Sequence, residues 1–182
     1  MKVFHLTLEF DLEEKPEWID SFRQKYGEPY SYHITLKYPT LIKEVDLPKL
    51  TKEVQSLAEV TKVLVAEFDK YFFDKTKNGN LIMVSAKHNE DLIRLQKLVM
   101  DRLSAYGKTK KPHYKDFEIN FKPHIALARK LSDKNFLEAR NQLKKQIYCK
   151  ATITKLALTT VNEGYSSEDV VSPKNSLYFY LK

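Results

Sequence analysis

The sequence predicts an α+β protein with largely antiparallel sheets. Three observations carry that expectation. Short runs of alternating apolar and polar residues mark strands, and stretches of helical period lie between them. Consecutive strands are joined in some places by a hairpin turn and in others by a helix.

Residues 3–10 open the chain as a strand, with Phe4, Leu6, Leu8 and Phe10 on one face and His5, Thr7 and Glu9 on the other. A helix comes next, over 16–26. Pro16 stands near its start, Trp18, Ile19, Phe22 and Tyr26 share a stripe, and Gly27 suits a left-handed stop. Next come a strand at 31–37 and a helix near 47–58, for which Asp46 is the expected cap. Strands at 62–73 and 80–87 are joined through Lys77-Asn78-Gly79-Asn80, whose Asn-Gly step marks a hairpin. The helix at 89–105 has Asn89 as its cap and Leu92, Leu95, Val99 and Leu103 as its buried stripe. Residues 107–115 read as a polar basic loop and 117–129 as a strand. A helix near 133–146 is capped by Ser132, with Leu131 and Phe136 spaced as a hydrophobic staple. Strands at 150–161 and 176–182 complete the series.

With 182 residues, 42% of them hydrophobic, the chain can bury a real core, as one large domain or two small intertwined ones. Only 4 Gly and 7 Pro exclude a low-complexity or fibrous chain. A formal net charge of +7 favours an anionic partner such as nucleic acid. The single cysteine, Cys149, excludes an internal disulfide, and its neighbours place it in a buried strand. No apolar run approaches the roughly 20 residues of a membrane span, and the first residues lack a signal-peptide core. A cytoplasmic protein is the expectation.

The sequence echoes itself. Tyr30-Ser-Tyr-His33-Ile-Thr-Leu-Lys37 resembles Phe121-Lys-Pro-His124-Ile-Ala-Leu-Ala-Arg129, at an offset of half the chain. On a strand, residues two apart share a face, so His33 points with Thr35 and His124 with Ala126. Related by an approximate two-fold, the two imidazoles would line one groove from opposite sides. Such a pair suits displacement at phosphorus. One neutral imidazole takes a proton from the attacking oxygen, and one imidazolium gives a proton to the leaving oxygen. A Thr35 hydroxyl can donate to a nonbridging oxygen, and Lys37 and Arg129 are candidate cations for the phosphate.

Those two segments resemble the paired motifs of the two-histidine phosphoesterase superfamily, the 2′-5′ RNA ligase-like and cyclic phosphodiesterase proteins. The resemblance implies a single domain over 1–182 of two intertwined lobes, with two largely antiparallel sheets in a pseudo-two-fold arrangement and outer helices around a central groove. It implies metal-independent hydrolysis of 2′,3′-cyclic or 2′-5′ phosphodiesters of RNA or nucleotides, or ligation of RNA ends. His33 and His124 would be the acid–base pair and Thr35 a phosphate donor. Arg129 matches the basic residue that often follows the second motif in the bacterial branch. No cofactor, metal, membrane or obligate protein partner is implied.

Ala126 departs from the pattern, which has Thr or Ser there. A methyl group donates nothing, and a lost donor can cost about 10²–10³ in rate. A catalytically weakened RNA- or nucleotide-binding module of the same fold is therefore the alternative. His5 begins a further His-x-Thr, on the polar face of its strand, and is a candidate for substrate contact. Tyr32, with Tyr30, is a candidate to stack on a base. His88 at a helix start reads as a cap or solvent-exposed residue, and His113 and Tyr114 as solvated loop or a flap.

Overall fold

The alternation of Phe4, Leu6 and Leu8 with polar neighbours builds β1 (Lys2–Phe10), which a computed structural model places at the centre of a five-stranded sheet. The structure describes residues 1–28, 30–170 and 172–182, with Ser167 and Glu168 described by backbone alone. After β1 come α1 (Ile19–Lys25), β2 (Tyr32–Ile42), α2 (Leu47–Val60), β3 (Leu64–Thr76), β4 (Gly79–Ala86) and α3 (Glu90–Leu103). The middle of the chain adds β5 (Lys108–Thr109), α4 (Pro112–Ile119), β6 (His124–Leu131) and α5 (Asp133–Gln142). β7 (Cys149–Ile153), β8 (Lys155–Asn162), the short α6 (Ser167–Val170) and β9 (Ser176–Tyr180) end the chain.

The first sheet has the order β5-β2-β1-β8-β9 and the second β6-β4-β3-β7, every pair antiparallel. This is the α+β fold of two sheets and outer helices that the motif pair implied. The chain enters each sheet more than once, so neither half closes on its own segment of sequence. One continuous apolar cluster runs between them, with Phe4 and Leu8 from the first sheet and Phe68, Val84 and Ile125 from the second. Phe10 stacks on Phe68 across the two sheets, with ring centroids 6.0 Å apart. Helices α2 and α3 add Leu50, Val54 and Leu57, and Leu92, Leu95, Val99 and Leu103. Each such side chain contributes roughly 1.5–3 kcal/mol by leaving water.

The caps at Asn89 and Ser132 form as expected, accepting from the backbone N–H of Leu92 and Asn135. Gly27 takes the left-handed conformation (φ 84) that ends α1, and Cys149 is buried. Asp46 makes no side-chain cap, because a 3₁₀ turn over Glu44–Asp46 runs straight into α2 and leaves it helical. The strand expected at 117–129 opens with the end of a helix and is strand only from His124. Pro112 starts α4, and on it Phe117 and Ile119 are exposed while Glu118 is buried, the reverse of what alternation predicts. The basic loop at 107–115 divides between β5 and the start of α4. The strand expected at 150–161 breaks at Thr154, leaving β7 in the second sheet and β8 in the first. The Thr154 carbonyl accepts from Leu181 N–H (2.8 Å) at that crossing.

Candidate active site

The two motif strands have the same local shape. Residues His33 to Tyr38 run half-buried, buried, half-buried, buried, buried, half-buried, and His124 to Arg129 repeat that series. The cause is an irregularity at the same place in each. On β2, Thr35 pairs with Thr7 but Lys37 with Leu6, so Leu36 is an extra residue. On β6, Ala126 pairs with Met83 and Ala128 with Ile82, so Leu127 is the extra residue. A bulge shifts the alternation by one and re-aims the side chains beyond it. The structural mates are therefore His33 with His124, Thr35 with Ala126, Lys37 with Ala128, and Tyr38 with Arg129.

This corrects one expected ligand cation. Lys37 falls on the face of Leu6, in the interior, where its Nζ lies 2.9 Å from both carboxylate oxygens of Glu118. It is 3% exposed and bound to a structural partner. Tyr38 takes the half-buried position that simple alternation gave to Lys37. Tyr32 is a second correction. It neighbours His33 in sequence and so points to the opposite side, buried, with its hydroxyl donating to Asp20 (2.6 Å) and its ring under the Arg23 guanidinium (3.7 Å).

His33 and His124 are held alike. His33 Nδ1 is 3.0 Å from the carbonyl of Ser31, and His124 Nδ1 is 2.7 Å from that of Lys122, each two residues back along its own chain. A carbonyl only accepts, so each Nδ1 carries the hydrogen and each Nε2 is left for chemistry. The His124 ring also stands edge-on to Phe72, 5.3 Å between centroids.

The two rings differ in their surroundings. Burial holds the His33 imidazolium down, to about 4, and the charges of Arg129, Arg23 and His124 push the same way against the Ser31 carbonyl. That His33 feels His124 sets the two rings in one electrostatic neighbourhood. His124 is also lowered, chiefly by burial, but the Lys122 carbonyl and the Asp74 carboxylate favour its proton. His5, on the same strand face as Thr7 and Glu9, is 8% exposed and pushed down to about 3 by burial, His33 and Arg129. Among the described residues, its Nδ1 has no hydrogen-bond partner.

Arg129 is set against a buried acid that sequence reasoning missed. Its Nε donates to Glu28 Oε2, and its guanidinium lies 5.6 Å from the Tyr30 ring. Glu28 is fully buried, and among the described residues its other oxygen has no hydrogen-bond partner. Burial raises its carboxyl, while Arg129, Arg23 and Lys130 pull it down. Arg23 was missed as well. Its Nε donates to the carbonyl of Ala126 (3.2 Å) and an Nη to that of Tyr30 (2.8 Å), so it ties β6 to the segment entering β2. Ile19, Phe22, Arg23 and Tyr26 have the i, i+3, i+4, i+7 spacing of a buried helix face, a signal that marked Arg23 as buried. Ala126 itself offers a half-buried methyl where Thr35 has a hydroxyl. His88 is exposed, and His113 lies exposed on α4 beside Tyr114. Among the described residues, no group of three or more His, Cys, Asp or Glu is gathered as a metal site, and no helix is long and apolar enough to cross a membrane.

Comparison with known proteins bears on family and fold. The sequence profile of the 2′-5′ RNA ligase superfamily matches residues 10–164. A protein of Geobacillus kaustophilus, provisionally named a phosphoesterase, is 28% identical over 149 residues, covering 78% of this chain and 79% of its own. The fold is similar to that of Escherichia coli LigT crystallised with 3′-AMP, with a TM-score of 0.57 and 15% identity over 100% of this chain and 95% of that one. It is similar also to Usb1 of Kluyveromyces marxianus, with a TM-score of 0.57 and 12% identity over 98% of each chain.

Proposed function

The chain belongs to the 2′-5′ RNA ligase superfamily, and from that premise we propose that it is a metal-independent phosphodiesterase acting on 2′,3′-cyclic or 2′-5′ phosphodiesters of RNA or nucleotides. The observation that carries the reading is the matched tethering of His33 and His124, which leaves the same nitrogen free on each ring. The 3′-AMP held by LigT, a nucleotide with a phosphate on its ribose, is consistent with such a substrate.

In this reading the environments divide the labour, as paired titratable groups with separated affinities do. His33, whose proton is the less welcome, is the base. Its Nε2 takes a proton from water as the water oxygen bonds to phosphorus. His124, whose proton Asp74 favours, is the acid. Its Nε2–H passes to the ribose oxygen as the P–O bond breaks, and proton exchange with solvent restores both rings. Thr35 donates to a nonbridging oxygen. Arg129, held by Glu28, places positive charge on the other side, where Ala126 supplies no donor.

Phosphorus NMR of a short RNA with a terminal 2′,3′-cyclic phosphate, incubated with the protein and EDTA, tests the proposal. Conversion to a monoester by the wild type, abolished in His33→Ala and in His124→Ala, is the expected result. Full turnover by either variant, or none in EDTA that added divalent metal restores, overturns it. Ala126 motivates a second reading, an RNA- or nucleotide-binding module with weakened catalysis. That reading expects binding without turnover.

A further inference from the structure

His33 and His124 stand at the inner ends of two matching rows of side chains. In the first sheet His33 pairs with Glu9, and Glu9 in turn with Lys155. In the second His124 pairs with Ser85, and Ser85 with Lys70. Residues directly opposite across an antiparallel ladder share a face, so each lysine lies on the face of its histidine, two strands away. β2 and β6 pack against each other where the sheets adjoin, and the two rows run outward from that joint into opposite lobes. Neither lysine belongs to the echoed motifs, and their sequence neighbours differ: Thr154 and Leu156 for one, Asp69 and Tyr71 for the other. The match comes from register. On β3, Asp69 is an extra residue between Phe68 and Lys70. Without that bulge Lys70 would point with Phe68 into the core.

Lys70 is exposed, and Lys155 is half-buried with its Nζ 4.9 Å from the Tyr178 ring. Among the described residues, neither ammonium lies within ion-pair distance of a carboxylate. Glu9 is the one acid within the two rows. Burial raises its carboxyl, and the charge of Lys155 opposes that rise. Two strand spacings come to about 9.5 Å, and a lysine stem can carry its charge back over part of that distance. Each ammonium can therefore meet a phosphate one nucleotide away from a phosphorus held between the imidazoles. A nucleotide chain carries one negative charge at each such step, and cations that meet those charges supply much of its affinity.

We propose that Lys155 and Lys70 are a pair of flanking-phosphate subsites, one in each lobe, which hold the phosphates before and after the one that enters between His33 and His124. The proposal rests on the phosphodiester reading and narrows its substrates. A 2′-5′ linkage inside an oligonucleotide, charged on both sides, binds more tightly than a phosphodiester with a charged neighbour on one side only.

The probe is a dye-labelled tetranucleotide RNA whose central 2′-5′ linkage is a phosphinate, with methylene groups in place of both bridging oxygens. It keeps its charge and has no ester bond to cleave there. The 3′-5′ linkage on each side is either a phosphodiester or a neutral methylphosphonate. Fluorescence anisotropy follows binding to the wild type, Lys155→Met and Lys70→Met over a range of salt. In the wild type, neutralising either flanking linkage should weaken binding and make the slope of log K against log salt shallower by about 0.7. Each variant should bind the fully charged probe with a slope shallower by the same amount. Each should also become indifferent to neutralisation of one linkage, the two variants to opposite linkages. No binding by the wild type, or wild-type affinity indifferent to either linkage, overturns the pair of subsites without need of a variant. Folded variants that keep full sensitivity to both linkages overturn the assignment to these lysines. Binding with the expected pattern but no hydrolysis of a 2′-5′ diester leaves the subsites standing and removes the hydrolase. Hydrolysis of that diester with affinity indifferent to the flanking charges does the opposite.

Discussion

Lys37 Nζ lies 2.9 Å from each carboxylate oxygen of Glu118, and both side chains are almost wholly buried. The pair pins α4 to β2, and Glu118 also accepts from the backbone N–H of Tyr38 (3.0 Å). A buried pair of this kind is weak evidence of stability in itself, but breaking it strands a charge. Lys37→Met is expected to lower stability by about 3–5 kcal/mol in urea unfolding. Lys37→Met with Glu118→Leu should recover much of that loss. Folded Lys37→Met should keep its affinity for phosphate. A selective loss of phosphate affinity with normal stability would restore Lys37 to the ligand.

The pH profile is set by the two histidines. His33 acts as base only when neutral, so kcat/KM rises as pH climbs through about 4. His124 acts as acid only when protonated, and its affinity for the proton is lowered from the ordinary 6.5. The descending limb therefore lies below pH 6.5, giving a bell centred on the acid side. Asp74→Asn removes a group that favours the His124 proton, so the descending limb should move to lower pH while the ascending limb stays. Initial rates across pH in both proteins check this, and a descending limb that does not move removes Asp74 from the scheme.

Ala126→Thr places a hydroxyl at the structural mate of Thr35. A missing donor of this type can cost about 10²–10³ in rate, so a gain approaching that range is expected in single-turnover hydrolysis of a cyclic phosphate. No gain, with binding unchanged and strongly salt-dependent, favours the binding module.

Acid should unfold this protein early. His5 is neutral in the folded chain, its affinity for the proton pushed down from 6.5 to about 3. The unfolded chain binds that proton first, so the His5 contribution is intact above pH 6.5 and is lost as pH falls toward 3. The shift corresponds to roughly 4–5 kcal/mol at its full extent. His33 and His124 act with the same sign. Urea midpoints between pH 7 and 4 should fall steeply, and His5→Gln should flatten the slope. An unchanged slope in that variant would show that His5 is not buried in neutral form.

Much of this was legible in the chain, because alternation is a local property. β1, β2 and α3 were readable from their apolar periods, and the caps at Asn89 and Ser132 from residue type at a helix start. Tyr32 was readable too, since strand alternation already set it opposite His33. The same rule failed at Lys37, because it assumes an unbroken strand. It failed again at Phe117 and Ile119, where a short helix carries a pattern that also fits a strand.

By itself the sequence determined the two histidine motifs, their half-chain spacing, the missing hydroxyl at Ala126 and the strands that carry them. Only the tertiary structure decided which side chains stand beside those histidines. The bulges that exchange Lys37 for Tyr38 are fixed by pairing with β1 and β4, and Glu28 reaches Arg129 across 101 positions of sequence. Such contacts arise from sheet register and from charges seeking partners away from water, and no local pattern encodes either.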